Sequence, residues 1–329
     1  MAITDKKIYF LFPGQGAQYP GMALDLWEDS AAVKKLFETA SDHTGQDMKA
    51  LLREAGGETL KRTDVSQPAV TLANLAAAVY LEERGIHPGG CAGFSLGEYA
   101  ALVTAGVIGA EDCFRLVKAR GEAMQAAVDR IRKESPGGEA PGMAAVIGLE
   151  PERVLALIAE WTAAGLADLY PANINSPRQL AVAGTAAALA VAEEKFKAAG
   201  ARRFIRLQVA GPFHSPLIAG AAEVFAQTLA AVPFGDPRIP LYSNVSGGPV
   251  STGAEAKGFA LAQISAPVRW VEEERSINRP EGPEAVLETG PGKVLQGLWK
   301  DSGSEIPCYA AGTAADIKLL LGGDHALGG

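Results

Sequence analysis

The chain has 329 residues, of which 48% are apolar. That is enough apolar material for one large core, or for a core plus a smaller domain, and it excludes an intrinsically disordered chain. The formal net charge of −8 argues against a general nucleic-acid binder, because neutralising phosphates requires clustered Lys and Arg.

Neither a membrane segment nor a cysteine framework is predicted. No run approaches the roughly eighteen uninterrupted apolar residues of a membrane-spanning helix, and the first apolar run is too short for a signal peptide. The three cysteines are odd in number and widely spaced, which indicates neither disulfides nor a zinc site. We therefore expect a soluble cytoplasmic protein whose reduced cysteines lie in the core, namely Cys91, Cys113 and Cys308.

Short apolar runs alternate with helix-length amphipathic segments along the chain. This pattern is typical of an α/β protein with a mainly parallel sheet. The first run, KIYFLFPG, predicts a strand that ends at Pro13. Residues 67–84 predict a helix, and CAGF (91–94) predicts a short buried strand immediately before Ser95.

The middle of the chain contains a better ordered pattern of six elements. The predicted strands cover 142–148, 167–175, 179–184 and 202–209, and the predicted helices cover 151–165 and 185–200. The order β-α-β-β-α-β is that of a ferredoxin-like unit. A segment rich in Gly, Pro and charge, RKESPGGEAPG (132–142), precedes it like a linker. We predict an insert over 142–208 within a larger α/β domain formed by 1–141 and 209–329.

The sequence GFSLGEYAAL places Ser95 between two glycines, after a predicted strand and before a helix that begins at about Leu96. A strand, a sharp turn and a helix form a nucleophile elbow, which exposes the serine hydroxyl. The N–H groups at the start of the helix can stabilise an oxyanion. The alternative is a glycine-rich turn whose serine is incidental.

A serine nucleophile needs a base, and the chain offers four histidines: His43, His87, His214 and His325. Three of them lie in polar, Gly-rich or loop surroundings, and we expect those to be exposed. His214, in QVAGPFHSPLIAG, follows the last strand of the insert and precedes a helix that Ser215 can cap. It is the best candidate base for Ser95, although a single loop histidine can also be purely structural.

Arg120 lies on the apolar stripe of the helix predicted by EDCFRLVKARGEAMQ. Burying an unpaired charge is costly, so this arginine must find a partner. One possibility is an internal salt bridge. The other is a site for a substrate carboxylate, which the flat guanidinium can bind through two parallel hydrogen bonds.

Two glycine-rich motifs do not predict nucleotide binding. PGQGAQYPG carries Tyr19 where the dinucleotide fingerprint requires its third glycine. TGPGKV carries Leu287 where a P-loop requires glycine, and Val294 where it requires Ser or Thr.

Six motifs taken together resemble the malonyl-CoA:acyl carrier protein transacylases. They are FPGQGAQ, GFSLGEYAALVTAGV, KARGEAMQ, GPFHSPL, ISAPVRW and ETGPGKVLQGL, which occur in family order from about residue 7 to 300. The resemblance implies an α/β-hydrolase-like domain with a ferredoxin-like insert. It also implies transfer of malonyl from malonyl-CoA to the phosphopantetheine thiol of an acyl carrier protein, with no metal or cofactor. We expect a monomer.

The resemblance assigns roles to the main candidate residues. It implies that Ser95 is the acylated nucleophile, His214 its base and Arg120 the clamp for the malonyl carboxylate. The backbone N–H groups of Gln15 and Leu96 would form the oxyanion hole. The backbone carbonyl of Gln263 would orient the histidine, similar in logic to the third member of a triad.

Other positions near the acyl site match the family less closely. Gln67 and Asn175 correspond to polar residues near that site. Phe213 matches the malonyl-selective form of its motif, although Pro212 stands where a smaller residue is commoner. Phe94 stands where the family usually has histidine, which affects the shape of the acyl pocket rather than the nucleophile.

Two other classes of function stay open on the sequence. A serine esterase or thioesterase would share the elbow and the histidine, but would not need Arg120. A non-catalytic interaction module would need none of the three residues.

Overall fold

The computed structural model describes residues 3–135 and 140–322. Within these residues the strands are β1 (Ile8–Phe12), β2 (Pro88–Gly93), β3 (Gly142–Ile147), β4 (Leu169–Ser176), β5 (Gln179–Gly184), β6 (Arg203–Arg206), β7 (Leu241–Ser243), β8 (Gly248–Val250), β9 (Ala285–Glu288) and β10 (Cys308–Ala310). The α-helices are α1 (Leu24–Asp29), α2 (Ala31–Thr44), α3 (Met48–Glu54), α4 (Gly57–Lys61), α5 (Thr63–Glu82), α6 (Gly97–Thr104), α7 (Ala110–Glu134), α8 (Pro151–Ala163), α9 (Ala186–Ala198), α10 (Ala219–Ala230), α11 (Gly253–Ala262), α12 (Trp270–Ile277), α13 (Val294–Asp301) and α14 (Ala314–Leu321).

The larger sheet has the strand order β10-β9-β1-β2-β7-β8. Its pairings are parallel except that β8 runs antiparallel to β7. All five residues of β1, IYFLF, are buried. A continuous apolar run of this kind is expected in a parallel strand covered by helices on both faces. The predicted α/β class with a mainly parallel sheet is confirmed.

The smaller sheet is antiparallel and has the order β4-β5-β3-β6. With α8 and α9 it follows the predicted β-α-β-β-α-β order, and these helices bury apolar residues in a separate core that includes Trp161 and Phe196. Backbone bonds at Val268 join it to the larger part, because Ile174 N donates to Val268 O and Val268 N donates to Ala172 O, each over 2.8 Å. We propose residues 142–208 as an insert between 1–141 and 209–329.

Several elements differ from the sequence expectations. Helix α5 begins at Thr63 rather than at residue 67, and Pro68 lies inside it, although proline is typical of a first helical position. Strand β6 ends at Arg206 rather than at 209; Arg206 pairs with Ala144, and beyond this pair a single backbone bond follows, from Leu207 N to Met143 O over 2.9 Å. Ser215 does not cap a helix through its side chain, since its hydroxyl donates to Pro212 O over 2.6 Å.

The linker expected at 132–142 lies partly outside the described residues. Helix α7 continues to Glu134 and β3 begins at Gly142, and residues 136–139 belong to the undescribed part. None of the three cysteines forms a disulfide, and Cys308 is half-buried rather than in the core. Across 3–135 and 140–322, no helix combines the length and apolarity needed to cross a bilayer.

Two glycines allow the turn between β2 and α6 to pack tightly. A Cβ atom on Gly93 would overlap the backbone of Gly97 and Glu98. A Cβ atom on Gly97 would overlap the carbonyl of Phe12 at the end of β1. Glycine is therefore required at both positions, because backbone approaches backbone too closely for any side chain.

Replacing Gly97 with alanine is expected to lower the free energy of unfolding by about 1–3 kcal/mol or more, since neither backbone can yield easily. The matched control is Gly258→Ala in α11, where the space around an added Cβ is open. Alanine there is expected to stabilise by about 0.5–1 kcal/mol through helix propensity. Urea denaturation measures both variants, and equal effects would contradict the close-packing explanation.

Candidate active site

Ser95 lies on the turn between β2 and α6, as an elbow requires. Its φ of 50° lies in the left-handed region, which a residue other than glycine rarely adopts. Its backbone N–H donates to Asn244 Oδ1 over 2.5 Å, which holds the turn. The sharp bend directs the hydroxyl into a cavity above the carboxyl end of β2.

His214 contacts the serine directly. Its Nε2 atom lies 2.8 Å from Ser95 Oγ, and its Nδ1 atom lies 2.9 Å from the backbone carbonyl of Gln263. A carbonyl only accepts, so Nδ1 carries the proton and Nε2 accepts from the serine hydroxyl. Burial, together with the nearby positive charge of Arg120, lowers the pKa of His214 to about 4. The imidazole is therefore neutral at pH 7 and able to take a proton.

Of the other histidines in the described residues, neither His43 nor His87 lines the cavity that holds Ser95. His87 is exposed, as expected. His43 is half-buried and therefore less exposed than expected. Its Nε2 atom lies 3.8 Å from a carboxylate oxygen of Glu111. His325 lies outside the described residues.

Gln15 and Leu96, whose backbone N–H groups the resemblance assigns to an oxyanion hole, both line the cavity that holds Ser95. In the described parts of the chain neither N–H donates to a protein acceptor. Leu96 also stands at the start of α6, where the helix dipole favours negative charge. The two groups are suitably located to bind an oxyanion formed at an acyl group on Ser95.

Arg120 lines the cavity from α7 and is only 1% exposed. Its Nη2 atom donates to Gln263 Oε1 over 3.0 Å, and the guanidinium lies 5.4 Å from the ring centre of Tyr99. Its Nε atom has no hydrogen-bond partner among the residues that the structure describes. Among residues 3–135 and 140–322 no carboxylate lies within 4.0 Å of the guanidinium, so the internal salt bridge considered above is not found there.

The cavity has a volume of about 410 Å³ and lies between the two sheets. The larger domain contributes the loop after β1, the elbow and the His214 loop. The smaller sheet contributes Met143, Asn173, Asn175, Gln179 and Ala181. A substrate in this cleft is therefore enclosed by both parts of the chain.

The remaining sequence candidates divide into two groups. Phe94, Phe213 and Asn175 line the cavity, and the Phe94 ring packs edge-on against Trp270 with ring centres 5.4 Å apart. Gln67 does not line it. This glutamine is fully buried, and its Nε2 atom donates to the sulfur of Met124, which forms part of the wall.

Sequence reasoning missed Glu98 and Asn244, which lie immediately below the elbow. Asn244 follows β7, the neighbour of β2, and polar residues at the carboxyl ends of adjacent parallel strands are candidates for a site. Glu98 is a charged residue one position after the glycine of the elbow, on a helix whose other early residues are apolar. Both signals were present in the sequence.

One cleft thus combines a serine hydroxyl bonded to a histidine, two candidate oxyanion donors and a cation that has no carboxylate partner in the described residues. It can form an acyl-serine ester and bind a carboxylate of the acyl group. The described residues contain no group of three or more His, Cys, Asp or Glu side chains that could hold a metal ion.

The chain is similar to known proteins over most of its length. The family model described as acyl transferase domain matches residues 9–318. The malonyl CoA-acyl carrier protein transacylase of Bacillus subtilis strain 168 is 39% identical over 318 residues, which are 96% of this chain and 96% of that protein.

Solved structures are similar over the same length. One is a malonyl-transacylase in complex with its type II polyketide synthase acyl-carrier protein, with a TM-score of 0.88, 35% identity and coverage of 97% of this chain and 100% of that chain. Another is the malonyl-CoA:acyl carrier protein transacylase of Xanthomonas oryzae pv. oryzae, with a TM-score of 0.87, 36% identity and coverage of 96% and 98%. With a matching family model and such relatives over nearly its full length, this chain belongs to the acyl transferase family.

Proposed function

We propose that this protein is a malonyl-CoA:acyl carrier protein transacylase that works through a malonyl-serine intermediate on Ser95. The observation that carries the proposal is the buried guanidinium of Arg120, which shares a cavity with the Ser95–His214 pair and has no carboxylate partner within 3–135 and 140–322. The activities printed for the relatives and the carrier-protein complex of one of them support the substrate and the partner.

In the first half-reaction malonyl-CoA binds with its free carboxylate at Arg120. His214 accepts the hydroxyl proton as Ser95 Oγ attacks the thioester carbon. The N–H groups of Gln15 and Leu96 bind the oxyanion. The intermediate collapses as the C–S bond breaks, and the protonated His214 returns its proton to the leaving thiolate of CoA. A malonyl-serine ester remains.

In the second half-reaction the phosphopantetheine thiol of the carrier protein enters the same cleft. His214 accepts the thiol proton as the sulfur attacks the ester carbon. The tetrahedral intermediate expels Ser95 Oγ, which takes the proton back from His214. The reaction is ping-pong, and each step uses only this chain's own groups, without a metal or cofactor.

A serine esterase is the competing function. It would use the same elbow and histidine but would have no need of an unpaired buried guanidinium. The hydrogen bond to Gln263 and the nearby Tyr99 ring offset part of the cost of burying that charge, and a bound anion would offset more, which favours a substrate with a free carboxylate. Phe213 in the wall supports malonyl as the acyl group.

The product would enter fatty acid or polyketide synthesis, and a relative whose printed name is polyketide biosynthesis protein supports the second. We propose that the protein acts in the cytoplasm as a monomer.

The pH dependence of acylation tests the role of His214. We expect the rate of ester formation on Ser95 to be constant near neutrality and to fall only as the pH drops through about 4, because protonation removes the lone pair of Nε2. Rapid-quench intact-mass measurement gives the rate at each pH. Far-UV circular dichroism shows whether a loss of rate at low pH comes from protonation of His214 or from acid unfolding.

The control is His214→Ala, which is expected to acylate about two to four orders of magnitude more slowly and to lose the inflection. A wild-type midpoint near the ordinary histidine value of about 6.5 would contradict the buried, neutral base. So would a loss of less than tenfold in the variant.

The ratio of malonyl to acetyl transfer tests the role of Arg120 and the proposed function. Arg120→Ala removes a charge-assisted contact with the substrate carboxylate, so malonyl transfer is expected to fall by about ten- to hundredfold. Acetyl-CoA has no such carboxylate, and its slow transfer should be spared or improved. Both substrates are assayed in parallel, because general damage to Ser95 would slow both reactions and leave the ratio of their rates unchanged.

The matched control is Arg115→Ala, an exposed arginine on the same helix that pairs with Asp112. It should leave the ratio unchanged. Equal proportional losses of malonyl and acetyl transfer in Arg120→Ala would make this arginine merely structural and would remove the main support for a malonyl substrate.

A further inference from the structure

Glu98 is a buried carboxyl group directly below the nucleophile. It is the second residue of α6 and only 3% exposed. In the described residues no Lys, Arg or His nitrogen lies within 4.0 Å of it. Burial of a carboxylate without a cation is unfavourable, and burial raises the pKa of Glu98 to about 7. A carboxyl group that stays buried despite this free-energy cost must form contacts that offset it.

The Oε2 atom of Glu98 accepts two hydrogen bonds. One comes from the backbone N–H of Asn244 over 3.0 Å, and the other from Gln263 Nε2 over 2.8 Å. The same Nε2 atom also donates to Ser95 O over 3.1 Å. The other end of the amide, Oε1, accepts from Arg120 over 3.0 Å. The Gln263 side chain therefore lies between the carboxyl group and the guanidinium.

The chemistry of these partners fixes the orientation of the amide. A guanidinium only donates, and a carboxyl oxygen that receives two N–H groups only accepts. The Gln263 amide can therefore satisfy both ends in one orientation only. Its backbone carbonyl accepts from His214 Nδ1. Gln263 thus connects Glu98, below the site, to both Arg120 and His214 within it.

We propose that Glu98 is a positioning residue which, by holding the amide of Gln263, sets the guanidinium of Arg120 for the substrate carboxylate and steadies the carbonyl that orients His214. This inference rests on the proposed malonyl transfer. Without an acceptor at position 98 the amide loses its shortest bond and keeps only those from Nε2 to Ser95 O and Asn244 Oδ1, at 3.1 and 3.5 Å, so the orientation of Arg120 is less closely defined. The larger effect is on Arg120, because the side chain of Gln263 contacts it directly.

Glu273 provides a comparison within the same cluster. It is also fully buried, and its Oε2 atom accepts from Asn244 Nδ2 over 2.7 Å. It makes no hydrogen bond to Gln263, Arg120 or His214 in the described residues. A purely structural role for buried carboxyl groups near the elbow would make Glu98 and Glu273 behave alike.

The experiment compares Glu98→Leu, Glu98→Gln and the control Glu273→Leu. Leucine fills similar space but removes the acceptor, whereas glutamine keeps an oxygen where Oε2 lies. Single-turnover acylation of Ser95 is measured with malonyl-CoA and acetyl-CoA, together with urea denaturation.

We expect Glu98→Leu to lower the malonyl-to-acetyl ratio by about tenfold, the size expected for losing one buried hydrogen bond to a charged group. Glu98→Gln should keep the ratio within about twofold, because its oxygen accepts the same bonds.

Glu273→Leu should lose stability but retain the ratio. The inference is overturned if Glu98→Leu reduces both substrates equally, or if Glu98→Gln fails to restore the ratio. Should Glu98→Leu not fold, Gln263→Leu tests the same link from its other end, since it removes the amide and keeps the backbone carbonyl. An unchanged ratio in that variant would also overturn the inference. Failure of the wild-type protein to form a malonyl adduct would instead refute the proposed function.

Discussion

The site depends on a backbone turn that only close packing can maintain. Ser95 has a φ of 50°, and its glycine neighbours lie where no Cβ atom fits. His214 has a φ of 58°, so both members of the candidate pair occupy strained backbone. Such strained backbone persists only where many contacts from the surrounding structure hold it in place. At the Ser95 turn, the hydrogen bonds of Asn244 with Ser95 N–H and with Gly93 O add to the restraint from close packing.

The second constraint is the positive charge of Arg120 in a buried cleft. It favours an anionic acyl group, and it also helps to lower the pKa of His214. The same charge therefore supports substrate choice and keeps the base unprotonated. Glu98 and Glu273 lie on the far side of Gln263 and Asn244, and burial raises the pKa of both. In the proposed function the cation is thus left available for the substrate, because no carboxylate of the described residues neutralises it.

Local patterns in the sequence predicted much of this arrangement. The alternation of strands and helices gave the two-sheet organisation, and β5 was predicted with its observed bounds. Ser95 and His214 were paired across 119 residues because each occupies a junction between regular elements. The network below them was not predicted, since the contacts of Glu98 with Asn244 and Gln263 span 146 and 165 residues. Local periodicity carries no information on such distant partners.

The most direct test of malonyl transfer through Ser95 is an intact-mass measurement after mixing with malonyl-CoA, before and after addition of a carrier protein that bears its phosphopantetheine thiol. We predict a lasting adduct of one malonyl group that the thiol removes with appearance of malonyl carrier protein, and no adduct in Ser95→Ala. Rapid release of free malonate without a lasting adduct would contradict transfer and indicate a hydrolase. An adduct of full yield in Ser95→Ala would contradict the assignment of the nucleophile.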